Sequence, residues 1–532
     1  MNWKHALLPA ALVVIAATVF AQTAPKGITG PVKVTGGMIQ GVAGTDKSVT
    51  DFKGIPFAAP PVGNLRWRAP QPVVPWQGVR AANKFGASCI QHLVYERKPW
   101  TYEFMSHNDI SEDCLYLNVY TPAKTTGEKL PVYMYIYGGG GVEGSAAVPV
   151  YDGEGLAKKG VIVVTPNYRL GIFASFVHPE LSAEAPYHAS GNYAILDVVA
   201  ALQWIKANIA QFGGDPDKVT IGGQSAGSGQ VTNLTASPLA KGLFRGAINE
   251  SGVTIASGNN FAPMTLAQAE QQGVAFAKAK GANSLADLRK LSWMEILDPL
   301  PAGPDGKVPT FRFGNVVDNY VLTASVVDTY EQGRQNDVPR LAGLNKNDNS
   351  GPAPHPDVTA AAFKDQAQKR YGDLTAAFLA LYPAGSDDEA KTAYTESTWD
   401  YNRMNTYEWS LWRNKYAKTP VYTYFWDHAL PGPDADKYGA FHTSEVPYVL
   451  NSLNMTTGRN ITDADRKVAD TVSSYWVNFI KTGNPNGAGL AHWPSTTEAP
   501  GMTMEIGDKN APIPVAGSKE KFNFFEKYYT KK

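Results

Sequence analysis

"KVTIGGQSAGSGQ", residues 218–230, decides the fold. Val219 and Ile221 alternate with polar neighbours and run into Gly222 and Gly223, the pattern of a strand that ends at a turn. Gly223-Gln224-Ser225-Ala226-Gly227 then fits G-x-S-x-G, a strand–turn–helix elbow that raises a nucleophilic serine above a sheet. The pentapeptide alone is weak evidence. Glycine is abundant, with 50 residues, and short patterns recur by chance. Its surroundings carry more weight, because "AGSGQVTNLTASPLAKG" opens as a helix directly after Ser225. Glycine is needed at 223 and 227, where the turn presses backbone against backbone. Ser225 would stand at a helix N-terminus, whose free amides and dipole favour a developing negative charge.

Outward from this stretch, short apolar runs alternate with helical patterns. Residues 131–137, 161–168, 244–250, 338–345 and 421–426 read as strands, and several are apolar throughout, as strands covered on both faces are. Ile195, Val198, Val199, Leu202, Ile205 and Ile209 recur at helical spacing, as do Val468, Val472, Trp476 and Phe479, with Gly483 as a stop. The alternation predicts an α/β fold with a mostly parallel central sheet flanked by helices. The stretches 254–335 and 350–418 read as helical excursions over the active-site end of that sheet, not as independent domains.

Lysine plus arginine and aspartate plus glutamate both number 48 among 532 residues. A net charge of zero gives no electrostatic footprint for nucleic acid or an anionic membrane. "MNWKH" followed by "ALLPAALVVIAATVF" reads as an export signal, cleaved after Ala21, with residues 22–532 forming one domain. The apolar stretch is short for a spanning helix and Pro9 interrupts it. No later run reads as long and apolar enough to span. The product would be secreted or periplasmic. Cys89 and Cys114 would then mature where disulfides persist. The alternative is two unrelated buried thiols. Neither cysteine has a partner at zinc spacing, so no metal is expected.

A nucleophilic serine needs amide donors for the oxyanion and a base. Gly138 to Gly141 end the strand 131–137, where a loop of free amides belongs in this architecture. Ordering four glycines costs conformational entropy, which argues for a function. In the chain order serine, acid, histidine, the base follows Ser225. His442, in "YGAFHTSEVPY" after the strand 421–426, has the right place, while His428 lies nearer the strand end and reads as structural. Asp348 in "LAGLNKNDNSG" is the acid that would hold the imidazole tautomer.

With these residues in place the chain resembles the type-B carboxylesterases, a family that includes cholinesterases and bacterial para-nitrobenzyl esterases. The resemblance rests on "FKGIPFAAPPVGNLRWRAPQPVVPW", "SEDCLYLNVYTP", "NYRLG", "FGGDPDKVTIGGQSAGS", "HTSE" and "FIKTGNPNG", in the family's order over almost the whole chain. It implies an α/β-hydrolase fold, no cofactor and an acyl-enzyme mechanism on a small-molecule ester. It makes Ser225 the nucleophile, His442 the base and Asp348 the acid, with an oxyanion hole from the amides of Gly139, Gly140 and Ala226. It also implies a Cys89–Cys114 disulfide and an Arg66–Glu112 salt bridge bracing the loop over the site.

Four positions depart from the family pattern. Asn347-Asp348-Asn349 replaces Asp-Glu-Gly, Gln224 replaces Glu, Gly141 replaces a bulky aromatic and Gly222 replaces Phe. They bear on pocket shape and charge. Gln224 removes a negative charge beside the serine, and Gly141 opens space near the oxyanion hole. Arg97 and Lys98 lie beside Trp100 in the loop at the pocket mouth and read as a solvated face. The expectation is a preference for neutral or acidic, bulky esters over choline esters. A non-catalytic, esterase-like adhesion or binding protein and an amidase on the same site are the competing readings. The sequence names no oligomeric state.

Overall fold

The computed structural model describes residues 27–253, 263–300, 307–348 and 358–530. The export signal read over residues 1–21, together with Asn349, lies outside them. The central sheet has eleven strands. In chain order they are β1 (Val42–Ala43), β2 (Thr50–Pro56), β3 (Tyr116–Thr121), β4 (Leu130–Ile136), β5 (Ile162–Pro166), β6 (Gly214–Gln224), β7 (Gly246–Glu250), β8 (Arg340–Asn345), β9 (Val421–Trp426), β10 (Met502–Ile506) and β11 (Ala511–Pro514). In space the order is β11-β10-β9-β8-β7-β6-β4-β5-β3-β2-β1. Every pairing from β10 to β5 is parallel, and the margins at β11 and at β3 to β1 are antiparallel. β5, β7, β8 and β9 have no exposed residue, and β6 is buried from Val219 to Gln224, the half that leads to the turn. Helices on both faces require this, which is why these strands read as apolar runs.

The order places the site. From β4 the chain moves to β5 on one side, then returns to lay β6 on the other, and later strands add outward beyond β6. The crevice beyond the carboxyl ends of β4 and β6 is thus a topological switch point, where open α/β sheets bind ligands. Gly138–Gly141 follow β4 and Ser225 follows β6.

Helices α1 (Tyr193–Asn208), α2 (Ala226–Ala236), α3 (Asp387–Tyr416), α4 (Asp463–Thr482) and α5 (Lys519–Thr530) flank the sheet. In α1, Ile195, Val198, Val199, Leu202 and Ile205 are all buried. Helix α4 starts on a capping box between Thr462 and Asp465 and stops at Gly483, whose φ of 77° lies in the left-handed region that ends helices. One expectation needs correcting. Tyr193–Phe212 is long and apolar enough to cross a membrane, but 72% of that window is buried inside the fold, as befits a core helix. The excursions are helical as expected, with Leu266–Ala279 in the first and Ala360–Tyr371 and α3 in the second. Phe363, Tyr371 and Phe378 form a separate small core with Phe524 and Phe525 of α5, tied to β8 and β9 through α3.

Cys89 and Cys114 are bonded across 25 residues. Closing a loop of that size stabilises the fold by about 3 to 4 kcal/mol in the chain-entropy model. Thiol titration of the denatured, unreduced protein is expected to find no free thiol; two would refute the bridge. Arg66 holds Glu112, inside this loop, by a bidentate pair at 2.7 and 2.6 Å. It also donates to Leu291 O at 2.7 Å, so one guanidinium joins the loop to the first helical excursion.

Candidate active site

Ser225 sits at φ 56°, ψ −121° between β6 and α2, a conformation that costs a non-glycine residue about 1 to 3 kcal/mol. Its surroundings enforce it. Ser225 N donates to Glu250 O at 2.8 Å, and Gly229 N donates to Ser225 O at 3.0 Å. The flanking glycines cannot be replaced: a Cβ on Gly223 would fall 2.7 Å from Ile136 O, and one on Gly227 only 2.0 Å from it. The elbow is therefore pressed against the end of β4.

The glycine loop beyond β4 turns back on itself. Gly139, Gly140 and Gly141 have φ of 104°, 64° and 73°, and Gly139 O accepts from both Val142 N and Glu143 N at 3.1 Å. The amides of Gly139, Gly140 and Ala226 donate to no described residue, which leaves them free for an acceptor in the crevice. A Cβ on Gly141 would meet nothing within 4 Å, so the space beside it is open, while its φ of 73° strains any residue but glycine.

His442 follows β9. Its Nδ1 is 3.0 Å from Asp348 Oδ1, and that same oxygen accepts from Ser251 Oγ at 2.7 Å. Two short ties hold the acid turn to the histidine loop: Asn347 N donates to Ala440 O, and Ala440 N donates to Asn347 Oδ1, each at 3.0 Å. Trp100 Nε1 donates to His442 O at 3.0 Å from the other side. His442 Nε2 is engaged by the Gln224 amide at 3.1 Å. Burial disfavours the charged ring, but Asp348, by charge and hydrogen bond, and the charge of Glu445 outweigh it, so His442 titrates above an ordinary imidazole. His428 instead bridges Asp508 and Asp465 at 2.6 and 3.0 Å, the structural role its position suggested.

Two buried carboxyls lie beneath. Burial and the nearby Glu445 push Glu250 up to about 8, against a hydrogen bond from Trp476. Burial likewise pushes Glu445 up to about 7, opposed by Asn345 and His442. Sequence reading missed Ser251, Glu445 and the Gln224–His442 contact. Ser251 had a signal: it follows β7 as Asp348 follows β8, a polar residue at the carboxyl end of a buried strand. Glu445 sits three residues after His442 in "HTSE", a spacing that by itself carries no signal of a role.

Ser225, His442, Gln224 and the glycine loop line one cavity of about 340 Å³, walled by residues 91–106 of the disulfide loop. At its rim Arg97 pairs with Glu143 and lies 5.4 Å over the Trp100 ring. Lys98 pairs with Asp434 at 2.6 Å. Both cations are therefore neutralised at the surface. Among the described residues no cluster could hold a metal ion.

The carboxylesterase family profile matches residues 29–525. The chain is 35% identical over 493 residues to the fumonisin B1 esterase of Sphingopyxis macrogoltabida, covering 89% of this chain and 85% of that one. It is 34% identical over 487 residues to the para-nitrobenzyl esterase of Bacillus subtilis (strain 168), covering 88% and 94%. A solved structure of a PNB esterase superposes with a TM-score of 0.72 at 31% identity, over 93% of this chain and 99% of that one. With that fold and a serine on a strained elbow at the switch point, the chain belongs to the carboxylesterase family and is a serine carboxylic ester hydrolase.

Proposed function

We propose that Ser225 Oγ attacks the ester carbonyl, with His442 Nε2 taking its proton and passing it to the leaving alcohol. Asp348 holds Nδ1–H and stabilises the imidazolium, and the amides of Gly139, Gly140 and Ala226 receive the oxyanion. Water then clears the acyl-enzyme through the same histidine. The observation that carries this reading is the Asp348–His442 pair opening onto the cavity that also holds Ser225. The test is covalent trapping. A phosphonylating reagent should stop turnover at one adduct per chain, on the peptide that carries Ser225; an adduct elsewhere with activity lost would overturn it. We further assign residues 22–532 as one catalytic domain, exported by a leader cut after Ala21.

The substrate is a neutral or acidic, bulky ester. Gln224 puts no negative charge beside Ser225, and Gly141 places no side chain next to the loop of Gly139 and Gly140. With Arg97 and Lys98 already paired, the preference for acidic groups rests on the missing carboxylate more than on free cations at the rim. The para-nitrobenzyl group in one relative's name is a neutral aromatic of this kind. A choline ester and its isosteric neutral analogue should be turned over with kcat/KM favouring the neutral one. A tenfold preference for the cation, about 1.4 kcal/mol in the transition state, would sink the idea. An amidase reading has no observation in its favour.

A further inference from the structure

Gln224, the last residue of β6, is 1% exposed, and its amide nitrogen lies 3.1 Å from His442 Nε2. The other ring nitrogen is turned to Asp348 Oδ1 at 3.0 Å. A carboxylate accepts, so Nδ1 carries the proton of the neutral ring and Nε2 presents its lone pair. An amide nitrogen can only donate. The contact is thus an N–H of Gln224 directed into the Nε2 lone pair, the one that takes the Ser225 proton in the mechanism proposed above. Gly138 makes the arrangement possible, because a Cβ there would fall 2.8 Å from Gln224 Oε1.

We propose that Gln224 caps the resting imidazole of His442, holding the ring in its neutral, base-competent form until the Ser225 hydroxyl displaces the amide. The inference rests on the assignment of His442 as base. The other charged groups around the ring argue for its necessity. Asp348 faces Nδ1 from the turn after β8 and Glu445 acts on the ring through its charge, while Glu250 at the end of β7, pushed up to about 8, is protonated near neutral pH and adds none. At the rim the Arg97–Glu143 pair cancels itself. The unbalanced charges are acidic and favour the imidazolium, which cannot act as a base. A donor at Nε2 opposes them, since it stabilises the lone pair, and an Nε2–H would find an acceptor only if the Gln224 amide turned over. In the attack the Oγ–H bond breaks as Nε2–H forms, and the Oγ–C bond forms as the carbonyl π bond opens to the oxyanion; on collapse the ester C–O bond breaks and Nε2 gives its proton to the leaving alcohol. Gln224 gives up its contact and keeps its own protons.

The test is the pH dependence of kcat/KM for an uncharged ester in the wild type, Gln224→Glu and Gln224→Met. Each curve is normalised to its own plateau, so a smaller folded fraction does not move it. A glutamate stabilises the imidazolium, and the acid limb should rise by about one pH unit, an approximately tenfold loss at a pH on the wild-type limb. Methionine keeps the length without the donor, and its limb should rise by less. A methionine limb that coincides with the wild type or moves downward would overturn the cap, whatever the glutamate limb does. Ser225→Ala run alongside separates the two assignments: if it is inactive while the limbs coincide, only the role of Gln224 fails. If it retains turnover, the cap falls with the mechanism.

Discussion

Ser225→Ala is expected to lower kcat/KM for an ester by about 10⁴-fold or more, with no loss of folded protein. The change removes one oxygen, and that hydroxyl donates to no described residue in the resting structure, so no packing or hydrogen bond goes with it. The backbone geometry at 225 is set by Glu250 O, Gly229 N and the approach of Gly223 and Gly227 to β4, none of which involves the side chain. Residues acting as one catalytic unit are non-additive: His442→Ala should cost nearly as much, and the double variant little more than either. The residual rate would reflect the free amides of the oxyanion hole and substrate binding. Kinetics on purified protein, beside a thermal melt, decide it. More than about 1% of wild-type turnover in Ser225→Ala would mean another nucleophile. Ser225→Gly offers an independent check on the strain, because glycine reaches φ 56° without a Cβ clash. It should be equally inactive yet melt at a higher temperature than Ser225→Ala.

What the sequence made legible follows from burial. Strands β4 to β9 are covered on both faces, so their residues had to be apolar and their ends stood out as glycines and polar residues. Those ends gather at the candidate site, and Ser225, the glycine loop, Asp348 and His442 stand out there by spacing and order. The antiparallel margin was not read. In β2 the pairing with β3 shifts register between Phe52 and Ile55, around Gly54 at φ 70°, so no clean alternation survives in "TDFKGIP". The short β10 and β11 carry too few residues to show a period. Side-chain contacts were equally hidden. Gln224 was visible as a departure from the family pattern, and its meaning was assigned to charge. Only the structure brings its amide to His442, across 218 residues of chain. Arg97 and Lys98 read as a solvated face and are indeed exposed, but each is matched to an acid far away in sequence, Glu143 and Asp434. Residues that serve the site from a distance leave no periodic trace.

Asp348→Asn is expected to lower kcat by about 10⁴-fold while the protein stays folded. The reason is a tautomer, not a lost charge alone. In the proposed triad Asp348 Oδ1 receives Nδ1–H of His442 and leaves Nε2 to act as the base. An asparagine can turn its NH₂ toward Nδ1, which places the ring proton on Nε2 and removes the lone pair that Ser225 needs. Ser251 favours this turn in the variant only weakly, since its hydroxyl can donate to a carbonyl or accept from an amide equally well. Its own replacement discriminates: Ser251→Ala removes the 2.7 Å bond to Oδ1 but keeps the carboxylate, so its effect on kcat should be far smaller, about ten- to a hundredfold on the scale of one lost hydrogen bond to a charged group. Folding should survive Asp348→Asn, because the turn is held by Asn347 through its backbone and side-chain ties to Ala440. If Asp348→Asn proves mild, another carboxyl must orient the ring. The place to look is then Glu445, which is buried, held by Asn345 and close enough for its charge to raise His442; Glu445→Gln would carry the large loss in its stead.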